Sequence, residues 1–118
     1  MATLMKDELF EAELVRAIGY APYGAADFGE CVATASRITG TDLTKWHDEW
    51  FATASRVHDL AVTSGEAGNA ASARSAFFRA SNYFRTAGLF SMGSPLDPRL
   101  VEAHRLEVDN FRAGAALL

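Results

Sequence analysis

The chain has 118 residues, enough to bury one core, and its formal charge of −4 leaves no basic surplus to neutralise phosphates, which argues against a nucleic-acid partner. With 49% apolar and 22% charged residues it is too apolar to stay disordered, yet no apolar run approaches the ~20 residues a membrane helix needs. The single cysteine, Cys31, excludes an internal disulfide, and Met1–Glu8 lacks the basic-then-apolar pattern of a signal peptide, so a cytoplasmic protein is expected.

Residues 4 to about 18 read as a first helix, with Leu4, Phe10, Leu14, Val15 and Ile18 on one arc. Asp7, Glu8, Glu11 and Glu13 crowd its N-terminal half, where the helix dipole favours them. Gly19 and Pro22 end it, and Tyr20–Ala26 is a short irregular connection. Asp27 and Glu30 have the spacing of a capping box, ahead of a second helix with Phe28, Cys31, Val32, Ala35 and Ile38 on its apolar face. Cys31 on that face is a small core residue rather than a nucleophile. Gly40 stops the helix.

Thr41 or Asp42 caps a third helix reaching about Ser64, in which Leu43, Trp46, Trp50, Ala54, Val57 and Ala61 step by three and four. The two tryptophans favour core packing over ligand stacking. After the Gly65–Asn69 turn, a fourth helix to about Phe90 places Ala73, Phe77, Ala80, Phe84 and Ala87 on one face, antiparallel to the third because the link is short. Ser91–Pro98 is a loop, and Asp97 with Pro98 starts a fifth helix marked by Leu100, Val101, His104, Val108, Phe111 and Ala115. No stretch reads as a strand. The expectation is an all-α fold, a five-helix bundle of antiparallel helices centred on Phe10, Phe28, Trp46, Trp50, Phe77, Phe84 and Phe111.

Catalytic machinery is sparse. A Gly-x-Ser-x-Gly elbow is absent, and Gly88–Gly93 has one residue too many before its serine. His47, His58 and His104 lack metal spacing, so no metal and no cofactor is expected; His47 reads as a helix-surface residue and His104 as a structural histidine on the inner stripe. No Gly-rich phosphate loop follows a strand. Arg79, Asn82, Tyr83 and Arg85 lie off the apolar face of the fourth helix. They fit either a solvated face with Arg–Glu pairs and a half-buried Tyr83, or a polar surface meeting a partner domain or substrate cleft.

Four segments then come in a familiar order: Tyr23-Gly-Ala-Ala-Asp-Phe-Gly-Glu30, Ala33-Thr-Ala-Ser-Arg-Ile38, Trp46-His-Asp-Glu-Trp50 and Arg79-Ala-Ser-Asn-Tyr-Phe-Arg85. Together they resemble the N-terminal helical domain of α/β-fold hydrolases of the 2,6-dihydroxypseudooxynicotine hydrolase and fungal heptaketide hydrolase type, with FrsA-like esterases as more distant kin. The resemblance covers nearly the whole chain. It implies a single helical cap or accessory domain over residues 1–118, packed on a catalytic α/β domain absent from this chain and carrying the Ser-Asp-His triad. It implies hydrolysis of a carbon–carbon or ester bond in a ketone- or polyketide-like small molecule, no catalytic residue of the chain's own, and oligomer or domain contacts. Arg79, Asn82 and Tyr83 would then be the substrate-binding residues. The Tyr20–Phe28 connection, the Arg79–Arg85 helix and the tail at Leu117 and Leu118 are the candidate contact surfaces. The alternative is a stand-alone interaction module, since Ala73, Phe77 and Ala80 copy the second-helix spacing of a tetratricopeptide repeat, although one hairpin is fewer than such arrays need.

Overall fold

A computed structural model describes residues 3–91 and 96–118, so the Ser91–Pro98 loop and the end of the Gly88–Gly93 segment fall partly outside the described residues, as does the start of the N-terminal stretch. Among the described residues five α-helices follow in order: α1 (Glu8–Ile18), α2 (Phe28–Ser36), α3 (Leu43–Glu66), α4 (Ala70–Gly88) and α5 (Pro98–Ala115). A short 3₁₀ turn, Ala21–Tyr23, lies between α1 and α2. No strand occurs among the described residues, and no described helix is long and apolar enough to cross a membrane.

Asp side chains set four of the five helix starts. Asp7, Asp27, Asp42 and Asp97 each accept a backbone N–H of the first turn, satisfying donors that would otherwise be orphaned. The first helix therefore begins at Glu8 rather than near residue 4. The stretch before it is held differently: the Glu11 carboxylate accepts the backbone N–H groups of Leu4 and Met5. The α3–α4 reversal needs Gly68, whose φ of +82° costs a side-chain-bearing residue strain.

The helices α3, α4 and α5 form an antiparallel row, with α1 packed against α4 and α2 against α3. The pairings Trp46–Thr86, Phe51–Phe84, His58–Phe77 and Gly65–Ala73 run in opposite directions along α3 and α4. Likewise Gly88–Ala103, Ser81–Glu107 and Arg74–Leu117 pair α4 with α5. The molecule measures 41 × 39 × 19 Å, a slab two helices thick.

Trp46, Trp50, Phe10, Leu14, Phe84 and Cys31 form the fully or nearly fully buried centre. Phe10, Trp46 and Phe90 pack as an aromatic triangle with ring centroids 4.7–5.4 Å apart, and the Trp46 indole N–H reaches the Thr86 carbonyl at 2.8 Å. Two expected core phenylalanines are outside it. Phe28 is 57% exposed and Phe111 58%. In α2 the buried face centres on Cys31 and Thr34, because Thr34 pairs with Thr53 of α3 through a 2.7 Å hydroxyl bond, and this turns Phe28 outward.

In α5 the inward stripe is offset by one residue from the one the hydropathy suggests. Ala103, Asn110 and Gly114 face inward, whereas Val101, His104 and Phe111 are exposed. Small residues win those positions because α5 lies close to α4: a Cβ on Gly114 would sit 2.9 Å from the Phe78 ring. Leu4, Val15 and Leu43, assigned to apolar faces, are likewise exposed, and Phe77 is only partly buried.

Trp50→Ala should cost about 3–5 kcal/mol, since its indole has no exposed surface and cannot be replaced by solvent. Urea unfolding followed by circular dichroism measures this; a loss under ~1 kcal/mol would contradict the packing.

Candidate functional site

The polar edge of α4 projects between α1 and α2, and its side chains are already engaged. The Tyr83 hydroxyl donates to Glu30 Oε1 at 2.7 Å and accepts the backbone N–H of Asp27 at 2.8 Å. Arg79 Nε donates to the same Glu30 oxygen at 2.9 Å, and its terminal nitrogens reach Ser75 and the second Glu30 oxygen. Asn82 Nδ2 donates to the carbonyls of Ala17 (3.1 Å) and Ala25 (2.9 Å), at either end of the α1–α2 connection. Its Oδ1 accepts from Arg85, whose guanidinium lies 5.3 Å from the centre of the Tyr20 ring.

The Asp27/Glu30 spacing does produce a cap, but only half of the expected pair. Asp27 Oδ2 accepts the Glu30 N–H at 2.8 Å, whereas Glu30 does not reach back to the Asp27 N–H. Tyr83 supplies that acceptor instead, and Glu30 turns to Tyr83 and Arg79. The spacing flagged both α2 residues; their partners, some fifty positions along the chain, carry no local signal.

Burial sets the electrostatics. It pushes the Cys31 thiol up to about 11, against the opposing pull of a hydrogen bond with Tyr83. It also drives the Tyr83 hydroxyl far above the ordinary tyrosine range, and lowers Arg85 from the ordinary arginine value. Cys31 is thus a protonated core thiol with little nucleophilic character.

Of the three expected substrate-binding residues, Tyr83 is fully buried, Asn82 is 7% exposed, and Arg79 borders the surface. Arg79 lines an open depression of about 470 Å³ with Leu60, Ser64, Ala71, Ser72 and Ser75. A second hollow, about 500 Å³, lies elsewhere, between Leu4–Asp7 and Ala35–Thr41. Sequence reasoning missed two other polar pairings. Arg37 bridges Glu49 and Thr53, and His58 Nδ1 meets the Oδ1 of buried Asn110 at 2.8 Å. His104 is exposed near Glu107. No group of three or more His, Cys, Asp or Glu that could hold a metal occurs among the described residues.

Three relatives define the kinship. The hydrolase LUC6 of Fusarium is 35% identical over 118 residues, all of this chain and 28% of that protein. The 20-hydroxy-prefusarin hydrolase FUS2 of Gibberella moniliformis is 32% identical over 118 residues, again the whole chain and 28% of the relative. The α/β hydrolase gkaG of Penicillium citrinum is 33% identical over 110 residues, 93% of this chain and 25% of its own. The chain thus spans about a quarter of the length of the curated relatives it matches. They are fungal hydrolases, and the similarity fits an N-terminal helical domain of such enzymes. No family model matches the chain, and no solved structure does.

Tyr83→Phe strands the Asp27 N–H and should cost about 1–3 kcal/mol in urea unfolding; an unchanged midpoint would mean that water replaces the hydroxyl. Alkaline pH should also weaken the fold. The folded Cys31 and Tyr83 hold their protons more tightly than the unfolded chain, whose thiol has the ordinary value of 9.0. The Cys31 contribution is complete below that value and is lost as pH rises towards about 11, whereas that of Tyr83 begins to fall only above the ordinary tyrosine value of 10.0. Stability measured at both ends of this window checks the sign, and Cys31→Ala should flatten the decline.

Proposed function

We propose that this chain is the N-terminal helical domain of an α/β-fold hydrolase whose catalytic domain lies on the same polypeptide. The supporting observation is the end-to-end similarity to hydrolases several times longer than the chain. In this reading the domain contributes to the substrate pocket and to domain or oligomer contacts, and the other domain supplies the Ser-Asp-His triad. The substrate is a ketone- or polyketide-like small molecule cleaved at a carbon–carbon or ester bond. Similarity to FUS2, a 20-hydroxy-prefusarin hydrolase, supports a small organic substrate of this kind. The buried thiol of Cys31 suits a reducing compartment, and the enzyme is assigned to the cytoplasm.

Arg79, Asn82 and Tyr83 serve that pocket through the connection they hold. Their polar atoms are bonded to Glu30, Ala17, Ala25 and Asp27, so a substrate would meet the shape they impose on residues 17–27. Arg79, at the edge of the serine-lined depression, is the member best placed for a direct contact.

The chain of residues 1–118 should turn over neither aryl esters nor 1,3-diketones, and a fluorophosphonate probe should leave its serines unlabelled; stoichiometric labelling of one serine would overturn the division of labour. In a full-length relative, the changes equivalent to Tyr83→Phe and Arg79→Ala should lower kcat/KM about tenfold. Unchanged kinetics with a lower melting temperature would move the pocket elsewhere.

A further inference from the structure

The α1–α2 connection and the start of α2 combine two features. The backbone is tightly fixed: Asn82 holds the carbonyls of Ala17 and Ala25, Tyr83 holds the Asp27 N–H, and Arg85 lies against the Tyr20 ring. Within the loop, the Ala25 N–H closes on the Tyr20 carbonyl, and Gly24 takes a φ of +76°. Yet Tyr23 in the connection and Phe28, the first residue of α2, are large aromatics left in solvent, 80% and 57% exposed. Among the described residues neither ring packs against another aromatic. A loop serving only to join two helices needs no exposed aromatic residues and no clamp of three α4 side chains.

Rigid aromatics on a fixed backbone are the usual anchors of a protein interface, because they bury much area while little side-chain freedom is lost. Phe111, the other strongly exposed aromatic outside this loop, differs in that one side already lies against Phe78, with ring centroids 5.6 Å apart. The occupant follows from chain length. The chain accounts for only 28% of LUC6 and of FUS2, so in such a protein nearly three quarters of the polypeptide lies outside this structure and is available to cover a face of it.

We propose that Tyr23 and Phe28 are the anchors by which this domain docks onto an apolar recess of the catalytic domain that follows it on the polypeptide. The proposal rests on the hydrolase reading above and adds the surface that makes the contact.

The test is Tyr23→Ser with Phe28→Ser, made both in the 118-residue chain and in the same chain continued through its hydrolase part. In the short chain the melting temperature should not move, since both side chains are exposed. In the long one, limited proteolysis just after Leu118 should run about tenfold faster, because the domains separate more often. Equal cleavage rates would overturn the proposal. So would dimerisation of the unsubstituted short chain that the substitutions abolish, which would make a second copy the occupant. A raised KM with unchanged cleavage would also overturn it, making substrate the occupant. If the unsubstituted long chain hydrolyses nothing but shows the cleavage difference, the hydrolase reading fails and the docking surface stands.

Discussion

The structure depends on one contact: the Glu30 carboxylate, held by Tyr83 at 2.7 Å and by Arg79 at 2.9 Å, while the Tyr83 hydroxyl also takes the N–H of Asp27, the residue that caps α2. Alone, α2 is nine residues long, too short to be stable as an isolated helix. Its start is fixed by α4, and its buried face is closed by the Thr34–Thr53 bond to α3. Tyr83 is fully buried, so its two bonds act where water competes poorly, while the Arg79–Glu30 pair is partly exposed. Losing one member leaves buried donors and acceptors unpaired, which costs more than the bond itself contributed.

That arrangement gives α4 two jobs on one surface. Ala73, Ala76, Ala80 and Ala87 let α3 approach closely. On the side facing α1 and α2, Asn82, Tyr83 and Arg79 replace small apolar residues, because what they meet is backbone. A loop between two helices exposes carbonyls and N–H groups that a purely apolar wall would leave unsatisfied. The polar edge of α4 is therefore the complement of a turn, and it holds the connection at Ala17, Ala25 and Asp27. Under the proposed function this stiffness has a use, since a helical domain contributing to a pocket would need to present its connections in one conformation.

The sequence made some of this legible. The stripes of α3 and α4 could be read directly because both helices are long and bury bulky residues at regular steps, Trp46, Trp50 and Val57 in one and Phe84 in the other. The caps at Asp27, Asp42 and Asp97 were equally visible, being local chemistry, whereas Asp7 read as one of the acidic residues inside the first helix. Phe28 and Phe111 misled because hydropathy assumes that large apolar residues seek the centre, whereas a slab 19 Å thick leaves much of each outer helix exposed. The inward face of α5 could not be found by that rule at all, since it consists of Ala103, Asn110 and Gly114. The unusual chemistry of Arg79, Asn82 and Tyr83 did stand out. Their partners did not, because pairings across 49 to 65 residues are decided only by the assembled fold.

The central claim is that the polar edge of α4 acts as a clamp on the start of α2, with Glu30 and Tyr83 as one coupled unit. A double-mutant cycle in urea unfolding, using Tyr83→Phe, Glu30→Ala and the pair, measures that coupling directly. The account predicts an interaction energy of about 1–2 kcal/mol between the two sites. Additivity within about 0.3 kcal/mol would contradict it, showing the two groups to be neighbours without mutual dependence.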